Sequence, residues 1–260
     1  MSLEVILVDR DADIATVTLN RPEKLNALTK PMWNRLGEVM RELSADDSLR
    51  CVVLRGAGKK SFAPGNDISE FANTRSNSAQ AREYGVVHHA ALAALHECRH
   101  PMVAMIHGIC VGGGLEIAAL CDLRICGTSS RFGIPINRLG LTLGLREMQG
   151  LMSVVGKAVT LEILLEGRVF NSDEALQKGL VTRVVADDKV EEEAYATARR
   201  ITEGAPLVAR WHKKFMHRLH DPTPFTKAEL DESYACYDTE DFKTGYQAFL
   251  AKTKPGFKGR

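Results

Sequence analysis

A chain of 260 residues with 45% apolar side chains can bury one large core, or a core with an appendage. Its 34 lysines and arginines against 33 aspartates and glutamates leave a formal charge of +1, too little basic field for a nucleic acid duplex or an anionic membrane, so neither partner is expected. No stretch reads as apolar enough over enough residues to cross a bilayer, and six cysteines with no CxxC pair and no secretory segment point to a reduced, cytoplasmic protein.

In chain order, Val5 to Val8 and Ile14 to Leu19 predict strands, and Thr29 with Pro31 starts a helix whose Met32, Leu36, Met40 and Leu43 share a face. Cys51 to Leu54 predicts the next strand, Ala79 to Glu97 a helix, and Met102 to Ile106 and Leu123 to Cys126 two further strands. Ser172 opens a helix that Gly179 can end, and Val181 to Val185 is the last strand signal. From about Val190 the chain reads as helical, with Ala205 to Leu219 and Phe225 to Ala251 as its main segments. The strand, strand, helix rhythm indicates an α/β architecture, with no internal repeat or low-complexity tract.

The densest chemical signal is His107-Gly-Ile-Cys-Val-Gly-Gly-Gly-Leu-Glu116, where a strand hands over to a helix. The first N–H groups of a helix lack intrahelical partners and lie at the positive end of its dipole. Gly112, Gly113 and Gly114 carry no Cβ, so a ligand carbonyl can approach those N–H groups, with Glu116 beside it. Read alone, the same residues also describe a tight turn with a helix-favouring glutamate. A second glycine turn, Ser61-Phe-Ala-Pro-Gly-Asn-Asp-Ile-Ser-Glu-Phe71, follows the Cys51 strand, with Asp67 placed to cap what comes next and the Asn66 N–H as a second donor.

Two other patterns are weaker. His96-Glu97-Cys98-Arg99-His100 fits the HExxH zinc pattern, but Pro101 disfavours helical geometry at His100, so no metal is expected. Gly56-Ala57-Gly58-Lys59-Lys60-Ser61 lacks the glycine–lysine spacing of a phosphate loop and reads as a basic turn.

With Asn20-Arg-Pro-Glu-Lys-Leu-Asn-Ala27, Phe132-Gly-Ile-Pro135 and the closing Ala248-Phe-Leu-Ala-Lys252 and Phe257-Lys258, these motifs resemble the enoyl-CoA hydratase/isomerase (crotonase) superfamily over nearly the whole chain. The resemblance implies a crotonase-like spiral of ββα units over residues 1–190, carrying a CoA-thioester site. It also implies a C-terminal helical trimerisation region over residues 191–260, assembling as a homotrimer or homohexamer. Carried over position by position, it implies the N–H groups of Asn66 and Gly113 as enolate-stabilising donors and Glu116 as an acid/base. The substrate-binding positions it implies are Lys24, Leu25, Ala27, Ala63, Asp67, Ile68, Gly112 and Ile136, with Phe249 and Lys252 reaching CoA from a neighbouring subunit. CoA is then part of the substrate, and no separate cofactor is implied.

One departure matters. The position at which hydratases carry their second glutamate is Ile136, which cannot transfer a proton. Asn137 can orient water but not titrate, and the candidates for a substitute acid/base are Tyr84, His88, His89 and Glu147. The reading is therefore an acyl-CoA enzyme of hydro-lyase type, within fatty acid metabolism. Isomerase, hydrolase or decarboxylase chemistry is the alternative, and a catalytically weak acyl-CoA-binding protein the reading from a different class.

Overall fold

The computed structural model describes residues 4–260, and in it the chain alternates between two sheets. The larger has six strands in the order β1 (Ile6–Asp11), β2 (Ile14–Leu19), β3 (Cys51–Gly56), β5 (Met102–Ile106), β7 (Leu123–Gly127), β10 (Arg183–Val185). The smaller has four, in the order β4 (Ser61–Ala63), β6 (Ile109–Val111), β8 (Arg131–Gly133), β9 (Phe170–Asn171). β1 and β2 form an antiparallel hairpin and β8–β9 is antiparallel, while the other pairings are parallel. Each turn lays one strand in the large sheet, the next in the small sheet, and then a helix: β3, β4, α2 (Phe71–Thr74) and α3 (Ser78–His96); β5, β6, α4 (Gly113–Leu120); β7, β8, α5 (Leu145–Glu166). That is a spiral of ββα units.

Helix α1 (Lys30–Ala45) begins where Thr29 accepts from Met32 N, and it buries Met32, Leu36, Met40 and Leu43 as the spacing predicts. It packs on α3 at close range: a Cβ on Gly37 would stand 3.1 Å from Ala91 Cα. The main core fills the space among the sheets, α1 and α3, with Trp33, Phe62 and Phe132 fully buried. The other face of the large sheet is covered by α7 (Val190–Thr202), through Val190, Ala194 and Ala198 on Val53, Val103 and Ile125. Burial on both faces explains why β2, β3 and β5 read as near-continuous apolar runs. Thus α7, though beyond residue 190, is part of the sheet's core. Between them, α6 (Ser172–Gln177) ends before Gly179, at φ +70°.

Two expectations need correction. Phe225 to Ala251 is not one helix: after α8 (Pro206–Arg218) come α9 (Lys227–Glu232), a tight turn over Ala235–Asp238 and α10 (Glu240–Ala251). Two separate caps impose the break, a capping box of Thr226 with Glu229 and then Thr239 accepting from Phe242 N at 3.0 Å. Second, the 22-residue α5 is long and apolar enough to cross a bilayer by length and composition. Gly156, at φ 72° and ψ 172°, breaks its helical course inside that span.

The HExxH residues separate as expected. His96 ends α3 and stacks on His217 with ring centroids 4.3 Å apart, whereas His100, fully buried, places Nε2 3.1 Å from Leu43 O.

Candidate active site

Two glycine loops meet edge to edge. Gly65 takes φ +107°, and a Cβ there would lie 3.3 Å from Gly113 N and 3.4 Å from Val111 O. Gly112, at φ +53°, caps α4 and donates its own N–H to Gly133 O at 2.9 Å. A Cβ on Gly114 would fall 2.2 Å from Ala63 O, so only glycine allows the start of α4 to settle on β4.

The loop around Asn66 is zipped to Leu28 by a parallel bridge, with Leu28 N donating to Gly65 O and Asp67 N to Leu28 O, each at 2.8 Å. In such a bridge the bonds come from the residues flanking Asn66, and its own N–H faces the other way. Neither Asn66 N–H nor Gly113 N–H has a backbone acceptor among the described residues. These are the donors expected from the sequence, now on adjoining loops.

The Asn66 side chain is not a bystander, as its main-chain role alone would suggest. Its Oδ1 accepts from Trp33 Nε1 at 2.7 Å and faces the Tyr84 hydroxyl at 3.4 Å. Burial pushes the Tyr84 phenol up, which keeps it a donor, and the Arg75 guanidinium lies over its ring at 3.5 Å. Sequence reasoning missed Trp33. The signal for it was present, since a core indole N–H must find an acceptor.

Glu116 lies in the first turn of α4, three residues after Gly113 and so on the same side of the helix, and is 8% exposed. Its Oε2 is 3.1 Å from His88 Nε2. The other ring nitrogen of His88 faces Glu147 Oε1 at 3.4 Å, and His89 Nε2 faces the same oxygen at 3.1 Å. Trp33 flanks the His88 ring at 4.3 Å between centroids. Three of the four proposed substitutes therefore join Glu116 in one chain, and Tyr84 adjoins it edge-on to His88, with ring centroids 6.4 Å apart. The donor atoms of His88, His89 and Glu147 lie within 4.8 Å of one another, close enough for a metal, but each already faces a hydrogen-bonding partner in the group.

Ile136 lies in the tight turn Pro135–Leu139, half-buried against the main core. Asn137 latches α5 by donating from Nδ2 to Leu165 O at 3.0 Å. Cys110, two residues before Gly112, is fully buried, and burial raises its thiol well above the usual range, which removes it as a nucleophile.

Of the other positions, Lys24 and Leu25 are exposed on a turn in which Leu25 and Asn26 take left-handed backbone conformations, with φ of 55° and 65°. Asn26 fixes that turn from inside by donating to Ala57 O and Ser61 O. Ala27 adjoins the Leu28 bridge, Ala63 is buried under Gly114, and Ile68 is 55% exposed. Asp67 caps Ser69 and pairs with Arg21 at 2.6 Å, contacts that hold its carboxyl down at about 2. Phe249 sits on α10 and is 83% exposed, and Lys252 caps the end of that helix in a left-handed conformation. Packing of α10 is with the 235–238 turn and the chain end, where Asp241 accepts from Lys258 N and Gly259 N, so within one chain these two residues stand apart from the glycine loops.

The profile of the enoyl-CoA hydratase/isomerase family matches residues 9–260. Over 263 aligned positions the chain is 34% identical to short-chain-enoyl-CoA hydratase of Clostridium acetobutylicum, covering all of both proteins. It is 31% identical to crotonyl-CoA hydratase of Syntrophomonas wolfei over 99% of each. A crystal structure of an enoyl-CoA hydratase/carnithine racemase from Magnetospirillum magneticum superposes with a TM-score of 0.98 at 50% identity, covering 100% of this chain and 97% of that one. Ordered motifs, spiral topology and full-length matches agree, and the chain belongs to the enoyl-CoA hydratase/isomerase family, with the crotonase fold.

Proposed function

We propose that the protein hydrates a 2-enoyl-CoA to a 3-hydroxyacyl-CoA. The observation that carries this reading is the pair of unsatisfied N–H groups, Asn66 and Gly113, on abutting glycine loops one helical turn from the buried Glu116 carboxylate. The relatives named above as hydratases support it.

The chemistry follows from the placement. Water oxygen bonds to the β-carbon, the double-bond electrons move through the α-carbon to the thioester oxygen, and Glu116 takes the water's proton; the enolate then collapses and its α-carbon takes one proton, giving the 3-hydroxyacyl thioester. Fixed dipoles stabilise the developing enolate more than the ground-state carbonyl, each donor contributing about 3 kcal/mol to lowering the barrier. Lys24, Leu25, Ala27, Ala63, Asp67 and Ile68 lie on the two segments zipped at Leu28 and are the positions for CoA, with Lys24 as a mobile charge for its phosphates. Asp67 serves there by bracing Arg21 and the turn.

Phe249 and Lys252 then belong to a neighbouring subunit's site in a trimer or a dimer of trimers. Exposed Leu219, Phe225, Tyr234, Tyr237, Phe249 and Leu250 in the C-terminal helices support such assembly. Six free thiols, five of them buried, fit a reducing cytoplasm.

The test is loss of the conjugated thioester absorbance on incubation with crotonyl-CoA and longer 2-enoyl-CoAs, with light scattering on the same sample. Turnover is expected from a trimer or hexamer. Absence of turnover on every chain length, with tight CoA-thioester binding retained, would move the assignment to isomerase, hydrolase or decarboxylase chemistry, the reading that Ile136 favours.

A further inference from the structure

We infer that Glu147, coupled to Glu116 through His88, is the second acid/base group of this site, in place of a carboxylate at position 136; the inference rests on the hydratase reading above. Glu147 is the third residue of α5 and only 8% exposed. A carboxylate so buried is costly unless its oxygens are satisfied. Oε1 is hydrogen-bonded to His89 Nε2 at 3.1 Å, and His88 Nδ1 stands 3.4 Å from it. Oε2 is buried and has no partner among the described residues. A carboxylate needed only to hold two histidines would not leave one oxygen dry and unpartnered. Oε2 lies against Gly144, the cap of α5, and only glycine leaves room for it there, since a Cβ would stand 2.3 Å away. A reacting water or substrate atom completes Oε2.

His88 commits both ring nitrogens to carboxylates on different helices, Nε2 to Glu116 on α4 and Nδ1 to Glu147 on α5. One such contact would suffice to seat a core histidine; two join the carboxylates across one imidazole ring. In the form poised for hydration, His88 carries both ring protons and holds one toward each carboxylate. The water's O–H bond breaks and its proton goes to Glu116 as oxygen bonds to the β-carbon. The enolate's α-carbon takes a proton that passes from His88 Nδ1 through Glu147, which begins and ends the step as a carboxylate. One proton is taken up and one delivered, and no redox change occurs. Reset runs through solvent: Glu116 returns its proton as product leaves, and His89, whose side chain is 40% exposed and touches Glu147, connects the other end to water. The charged and titratable groups around His88 are Glu116 from α4, Glu147 from α5, and Tyr84 and His89 from α3.

The test compares wild type, Glu147→Gln, Glu147→Asp, His88→Asn and the Glu147→Gln/His88→Asn double variant. Each is assayed for kcat and KM on crotonyl-CoA across pH, and for deuterium uptake at the α-carbon of butyryl-CoA in D2O. Glu147→Gln is expected to lower kcat and deuterium uptake by about 10² to 10³-fold with KM within about twofold. The double variant should be no worse than the poorer single, because the two residues act as a unit. Glu147→Asp, which keeps the carboxylate, should keep deuterium uptake within about tenfold of wild type even if Glu147→Gln does not fold. Wild-type kcat in Glu147→Gln, deuterium uptake abolished in Glu147→Asp, or single losses that multiply in the double variant would overturn the assignment. So would loss of activity in EDTA restored by zinc, which would give the same atoms to a metal. Failure of the hydratase reading shows separately, as wild type inert toward crotonyl-CoA, and deuterium uptake still reports on Glu147.

Discussion

Trp33 Nε1 donates to Asn66 Oδ1 at 2.7 Å, so a fully buried residue of α1 holds the loop whose main-chain N–H faces the candidate oxyanion. The same indole flanks His88, which contacts Glu116. One core side chain thus sets both halves of the site. Trp33→Phe keeps an aromatic ring there and removes the donor, leaving Asn66 Oδ1 with the longer 3.4 Å contact to Tyr84. We expect about 1–2 kcal/mol lower stability by chemical denaturation and a fall in kcat of about 10 to 10²-fold. Unchanged kcat in a destabilised variant would reduce Trp33 to a packing residue.

Gly65→Ala separates backbone strain from obstruction. Its Cβ would sit 3.3 Å from Gly113 N, on the side where the acceptor belongs, at a backbone φ of +107°. Gly58→Ala is the control, since φ is +75° there but nothing lies within 4 Å of the added atom. Both should lose about 1–2 kcal/mol from left-handed strain. Only Gly65→Ala should also lose about 10² to 10³-fold in kcat, the measured scale of one oxyanion donor. Equal activity in the two variants would show that the Gly113 N–H does not serve the reaction.

Much of this was legible in the sequence where local and tertiary demands agree. β2 and β5 were bounded correctly because strands buried on both faces are apolar runs, and α1 because Thr29, Pro31 and a clean apolar stripe coincide. Asn66, Gly113 and Glu116 stand out in the sequence as candidates because main-chain donors need glycines, which leave a mark. The break at Thr239 was hidden because aromatics such as Phe242 and Tyr246 continue an apolar pattern across it. The meeting of His88 with Glu116 and Glu147 was not legible, since it depends on how α3, α4 and α5 converge, and no spacing within one segment encodes that.

Acid should weaken the fold before carboxylates titrate. His100 is fully buried, and burial, reinforced by the charges of Arg210 and Arg99, lowers its imidazole to about 4. The folded value lies below the ordinary 6.5, so the unfolded chain takes up the proton first. Stability is therefore full above about pH 6.5, falls as pH drops through the window to about 4, and levels off below it for this group. His217, also lowered to about 4 by burial and by stacked His96, acts in the same direction. Denaturation midpoints at pH 7, 5.5 and 4 should decline in wild type and decline less in His100→Gln. Parallel slopes in the two proteins would show that His100 is not kept neutral by folding.

Glu116→Gln is the decisive substitution for the chemistry, because glutamine keeps the size and a hydrogen-bonding carbonyl while removing proton transfer. Folding should survive: Glu116 N still donates to Gly112 O at 3.0 Å, and the amide oxygen can still face His88. Turnover on the true substrate should fall by about 10² to 10⁴-fold. Affinity for a non-reacting CoA thioester should change little, because binding rests on the Asn66 and Gly113 N–H groups and on CoA contacts rather than on the carboxylate. Isothermal titration with acetoacetyl-CoA beside steady-state kinetics separates these quantities. Ile136→Glu is the companion: it places a carboxylate in the turn after β8, and a pocket that is otherwise hydratase-like should then rescue part of the crotonyl-CoA hydration lost in Glu147→Gln. Wild-type turnover in Glu116→Gln would place the proton chemistry on another residue of the chain it shares with His88 and Glu147.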